Sequence, residues 1–110
     1  MNHEALAALT DAVERASLAE IFDALPSGED ARYWGCILTA YDGSIDAAVR
    51  LCGELLPGCD WAKMGKTVSV IVSPGTVFVA RHDDPARALL IAILKAKLAE
   101  LDHHTRASNG

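Results

Sequence analysis

The run Ala88–Leu94, ALLIAIL, is apolar at every position, and it constrains the fold more than any other stretch of the chain. A helix that is hydrophobic on all sides needs cover on all sides. The run falls well short of the roughly 18 residues that a membrane span requires, so the cover must be protein. At 110 residues the chain fits one domain. A domain of this size buries a core without help from disulfides or metal. One sheet covers only one flank of such a helix. The other flank calls for the N-terminal helices or for another subunit, and this is the sequence argument for a homo-oligomer.

The residues before this run fix where its helix begins. Asp84 suits the N-cap, and Pro85 suits the first helical position, where a missing amide costs nothing. Asp83 and Asp84 also place negative charge at the positive end of the helix dipole. From Lys95 onward one side turns polar. The domain is therefore expected to span 1–102, with 103–110 as a flexible C-terminal tail.

Upstream lies a hairpin. Val68, Val70 and Val72 alternate with Thr67, Ser69, Ile71 and Ser73, a strand period with both faces partly apolar. Pro74-Gly75 is a turn signal, and Thr76 to His82 returns as the second strand. Cys59 to Lys63 reads as extended, anchored by Trp61, with a turn at Met64-Gly65. Before it, Ile45, Ala48, Val49, Cys52, Leu55 and Leu56 recur at spacings of three and four. That spacing predicts an amphipathic helix, capped by Ser44 and stopped by Pro57-Gly58.

The N-terminal third predicts two short helices, about 3–15 and 18–25. Their stripes are Leu6, Leu9, Val13 and then Leu18, Ile21, Phe22, Leu25. Ser17 and Glu20 have the spacing of a capping box. Residues 33–40, YWGCILTA, fit either a short strand or a helical turn. Tyr33 and Trp34 read as core or interface packing. The fold class is thus α+β. A small antiparallel sheet, a hairpin plus one or two short strands, is sandwiched between helices in the order α-α-(β)-α-β-β-β-α.

Function classes narrow by exclusion. Ten Lys and Arg against fifteen Asp and Glu give a net charge of −5. No basic run exists to hold a phosphate backbone, so long nucleic acid is not an expected partner. The N-terminus carries Glu4 and Asp11 where a secretion signal would place a basic and then an apolar stretch. The chain reads as cytoplasmic, with no membrane partner. Cys36, Cys52 and Cys59 contain no CxxC pair and read as buried free thiols. His3, His103 and His104 lie near the chain ends, and adjacent histidines share no helix face, so no metal site is expected. His82 stands beside Asp83 and Asp84 as a local pairing candidate. Gly65-Lys66-Thr67 lacks the earlier glycine of a phosphate loop, since Asp60 holds that position, and a strand follows it. No residue set has the types and spacing of a catalytic site, so neither enzyme activity nor a cofactor is expected.

Among the cations, Arg50, Lys63, Lys66, Arg81 and Arg87 stand out. Arg87 sits in the first turn of the last helix, where the dipole disfavours a cation. Two readings stay open: an anionic partner, or a pairing with Asp83 or Asp84.

Tyr41, Ser44, Asp46-Ala47-Ala48, Pro57-Gly58 and Trp61 follow one another in YDGSIDAAVRLCGELLPGCDW. Pro85-Ala86-Arg87-Ala88-Leu89, Ala92, Leu94 and Ala96 then form a proline-led helix. In this order the motifs resemble the phage ABA-sandwich domain family, over about 60 residues. Arg87 replaces a position that is commonly apolar there, and Tyr33-Trp34-Gly35-Cys36 has no counterpart. The resemblance implies helices on both sides of a small antiparallel sheet in a phage or prophage accessory protein. One branch, the Thoeris anti-defence sponges, is oligomeric and binds cyclic nucleotide-type signals without cleaving them. It implies an anti-defence role here: sequestering a small nucleotide-derived immune signal, of cyclic dinucleotide or cyclic ADP-ribose type, in the host cytoplasm. Tyr41, Trp61, Arg81 and Arg87 are the ligand-binding candidates. The alternative is a protein-interaction module, or an inhibitor of a host protein, with no small-molecule ligand.

Overall fold

The computed structural model describes the backbone of residues 3–72 and 75–109, and the side chains of 3–72 and 75–102. The expected turn residue Pro74, the His103 and His104 side chains and Gly110 lie outside the described residues. The chain is α+β in the expected order. Helices α1 (His3–Glu14) and α2 (Leu18–Ala24) lead through a 3-10 turn (Gly28–Tyr33) to α3 (Trp34–Tyr41) and α4 (Ile45–Leu55). Strands β1 (Asp60–Met64), β2 (Thr67–Val72) and β3 (Thr76–Arg81) follow, and α5 (Pro85–Asn109) closes the fold. The segment that fits strand or helical turn is thus a helix, α3.

Three caps form as their local chemistry dictates. The Ser17 hydroxyl accepts from the Glu20 amide at 3.4 Å, and Ser44 accepts from the Ala47 amide at 3.2 Å. Asp84 Oδ1 accepts from the amides of Ala86 at 2.9 Å and Arg87 at 3.4 Å. The capping box at Ser17 is only half made. The Glu20 carboxylate turns to Arg15 at 2.9 Å instead of returning to the Ser17 amide, which bonds the Ala12 carbonyl.

Helix α5 is the middle layer. One flank packs on β2 and β3, and the others pack on α1, α3 and α4. Leu89, Leu90, Ile93 and Leu94 are fully buried, and Ile91, the least covered of its run, is 5% exposed. Helix α5 therefore needs no second subunit for its cover. The N-terminal helices fold back over the flank that the sheet leaves open, so one chain covers the helix alone. The second stripe is corrected too. Ile21 is buried, but Leu18 and Phe22 are exposed, because α2 packs chiefly on α1 and leaves that side to solvent.

The sheet is antiparallel in the order β1-β2-β3. Its register pairs Trp61 with Val70 and Val70 with Phe78, and pairs Ala62 with Ser69 and Ser69 with Val79. Opposed residues share a face and neighbours alternate. Val68, Val70 and Ala80 therefore face α5 and are buried. Ile71, Val77, Val79 and Met64 lie on the opposite face, and all are exposed, Met64 at 84%. Every residue of β1 is exposed. No helix among the described residues is long and apolar enough to cross a membrane.

Candidate functional site

The structure brings two of the four ligand candidates together and separates the rest. Tyr41 ends α3, and Arg87 lies in the first turn of α5. The Arg87 guanidinium sits 4.1 Å above the Tyr41 ring centroid, and its Nε donates to the Tyr41 carbonyl oxygen at 2.6 Å. Neither open reading of Arg87 describes this. Among the described residues its guanidinium forms no ion pair with Asp83 or Asp84; only its backbone amide meets Asp84. Arg87 clamps the end of α3 to the start of α5.

Trp61 and Arg81 lie on opposite edge strands and opposite faces of the sheet. Trp61 shares the α5 side with Val70 and is 37% exposed, since β1 overhangs the core. Arg81 pairs with Thr67 on the open face. The four candidates do not line one site.

The neighbours of Arg81 satisfy one another. Asp83 binds the Lys66 ammonium at 2.7 Å, which holds its carboxyl below the usual carboxylate range and raises Lys66 above the ordinary lysine value. His82 Nδ1 accepts from the Asp84 amide at 2.9 Å. That bond ties His82 into the turn before α5. Among the described residues no cluster of three or more His, Cys, Asp or Glu is placed to hold a metal ion.

Two surfaces remain. The first is an open groove of about 540 Å³ between α3 and α4. Arg32, Cys36 and Thr39 line one wall, with Asp46 and Arg50 on the other. Arg32 donates to the Tyr33 hydroxyl at 2.8 Å, which raises its affinity for its proton further. Arg50 forms no ion pair among the described residues. Tyr33 is buried as expected of a packing residue, whereas Trp34 is 43% exposed and donates its indole N–H to the Pro26 carbonyl.

The second surface is the open sheet face, which groups Ile71, Val77 and Val79 side by side. Its signal is visible in the sequence: β3 reads TVFVAR, with apolar residues at both parities, so one apolar set must face away from the core.

The cysteines fit the buried reading in part: Cys52 is buried, while Cys36 and Cys59 are half-buried. Cys52, in the last turn of α4, and Cys59, just before β1, bring their side chains together with their Cα atoms 7.2 Å apart, wider than a disulfide ordinarily spans. The chain path around Pro57-Gly58 returns Cys59 to the helix it has just left.

No protein-family model, curated protein or solved structure matches this chain.

Proposed function

We propose that this domain is a non-catalytic interaction module that binds a protein partner through the open face of its sheet. One observation carries the reading. Ile71, Val77 and Val79 are 37%, 51% and 50% exposed and adjacent in the strand register, with Met64 on the same face. Scattered apolar residues on a surface need no explanation, whereas a contiguous group on one sheet face supports a contact role. The three-stranded platform presents it without reorganisation. A photoreactive amino acid placed at Val79 tests the reading in cells that produce the protein. Light-dependent adducts to a protein are the expected result. Their complete absence rejects the reading.

A second reading is favoured by the α3–α4 groove. There a phage-type accessory protein sequesters a small nucleotide-derived signal in the cytoplasm, and Arg32 and Arg50 supply the cations. Asp46 lines the same groove, so the anion must be held by the two guanidinium groups against a carboxylate. Calorimetry against cyclic dinucleotides and cyclic ADP-ribose isomers tests it. Micromolar binding that Arg50→Glu abolishes supports it, and silence across the panel rejects it.

A further inference from the structure

We infer that the partner of the open sheet face is a second copy of this chain, docked face to face in a weak two-fold dimer. The inference rests on the reading that this face is the contact surface, and adds the identity of the occupant.

The strand register lays the face out as a grid, three strands wide and three outward residues long. Asp60 and Arg81 occupy diagonally opposite corners, on the two edge strands. Ser69 lies at the centre. Ile71, Val77 and Val79 fill the corner region between the charges. A two-fold axis that lies between two such faces, along the diagonal from Met64 to Val77, superposes each grid on its mirror across that diagonal. Asp60 of each copy then meets Arg81 of the other. Ile71 meets Val79, Val77 meets Val77, and Ser69 meets Ser69. A strand-parallel axis would set Asp60 on Val77 instead, and a strand-perpendicular axis would set it on Met64. Both bury a carboxylate against an apolar side chain, which is costly. The diagonal arrangement alone satisfies both charges and both apolar sets. It crosses the strands near a right angle, one of the two ways in which sheets stack. It is also self-complementary, as an isologous contact must be. The small Ser69 on the axis lets the two sheets approach.

The size of the face sets the strength. Three strands at about 4.8 Å and five residues at about 3.4 Å give a footprint of roughly 240 Å². Stable interfaces bury about 800 Å² on each partner. The face therefore supports a weak, transient dimer at most.

Sedimentation velocity of the full chain from 10 µM to 1 mM, on the order of the range needed, is the test. A reversible monomer–dimer equilibrium is expected. Asp60→Arg and Arg81→Asp each put two like-charged pairs into the symmetric contact, so each should weaken association about tenfold or more. The double swap Asp60→Arg/Arg81→Asp should return to within about threefold of the original. Both sites are exposed, and circular dichroism confirms that each variant is folded. A chain that stays monomeric at every concentration overturns the inference. So does a dimer that ignores the single reversals or is not restored by the double swap. The adducts at position 79 separate this result from the reading beneath it. Adducts only to a different protein reject the self-partner and leave the interaction module standing. Adducts at twice the chain mass support both.

Discussion

Arg87 and Tyr41 are joined twice: the guanidinium stacks on the ring at 4.1 Å, and Nε bonds the Tyr41 carbonyl at 2.6 Å. The carbonyl bond serves one of the free oxygens at the C-terminal end of α3, while the ring keeps the cation partly out of water. Arg87→Ala should lower stability by about 1–2 kcal/mol in urea unfolding. Arg87→Lys should lose most of the same amount, since an ammonium cannot both stack as a plane and donate along the carbonyl. A cost within error of zero rejects the structural role.

Gly43, in the turn after α3, lies close against Asp84 at the start of α5. Gly43 has φ 112°, and a Cβ built there would meet Asp84 Oδ2 at 3.3 Å. That carboxylate also caps α5. Gly43→Ala therefore strains the backbone and presses on the cap, with an expected loss of about 1–3 kcal/mol. Asp84→Ala alone should cost about 1 kcal/mol. In the Asp84→Ala background the contact part of the glycine effect disappears, so the two losses should sum to more than the double variant shows.

Ile93 is fully buried in the run that α5 carries between the sheet and the helices. Ile93→Ala leaves a cavity with packed walls on both flanks, and should cost about 3–4 kcal/mol by chemical denaturation. Val77→Ala, on the open face, should cost under about 0.5 kcal/mol. Equal losses at the two sites would contradict the layer order described above.

The Lys66–Asp83 pair gives a pH dependence with a defined sign. Lys66 holds the Asp83 carboxyl low, so its contribution is present above the ordinary carboxylate value and is lost as pH falls through the lowered one. Asp83 holds Lys66 high, so that contribution is present below the ordinary lysine value and fades as pH rises through the raised one. Asp83→Asn should lower the melting midpoint at neutral pH and converge on the parent as pH falls through the lowered Asp83 value. Both groups are exposed, so about 0.5 M salt should shrink the neutral-pH difference.

Local chemistry carried the readable part of the fold. Ser17, Ser44 and Asp84 each satisfy amides within three residues, and the strand alternation around Val68 and Val70 needs only its own period. Residues 33–40 were too few for periodicity to separate helix from strand. The stripe through Leu18 and Phe22 shows that α2 has an apolar side but not whether a neighbour reaches it. The site was less legible. Arg87 and Tyr41 are 46 positions apart, and no local pattern announces a cation stacked across that separation. The return of Cys59 to α4 depends on the path through Pro57-Gly58, which spacing alone does not supply. The open face was half visible, as excess apolar residues in β3, but the direction they face emerged only with the register.

The place of α5 in the chain has a consequence for synthesis. The sheet and the layer of α1, α3 and α4 pack on α5 rather than on each other. Yet α5 follows every one of them in the sequence. As the polypeptide emerges from the ribosome, α1 can pack on α2 and α3 on α4, but the sides of the sheet and of the helical layer that face α5 stay bare until it follows. The sheet and the helical layer are thus brought into one core only once α5 has been made.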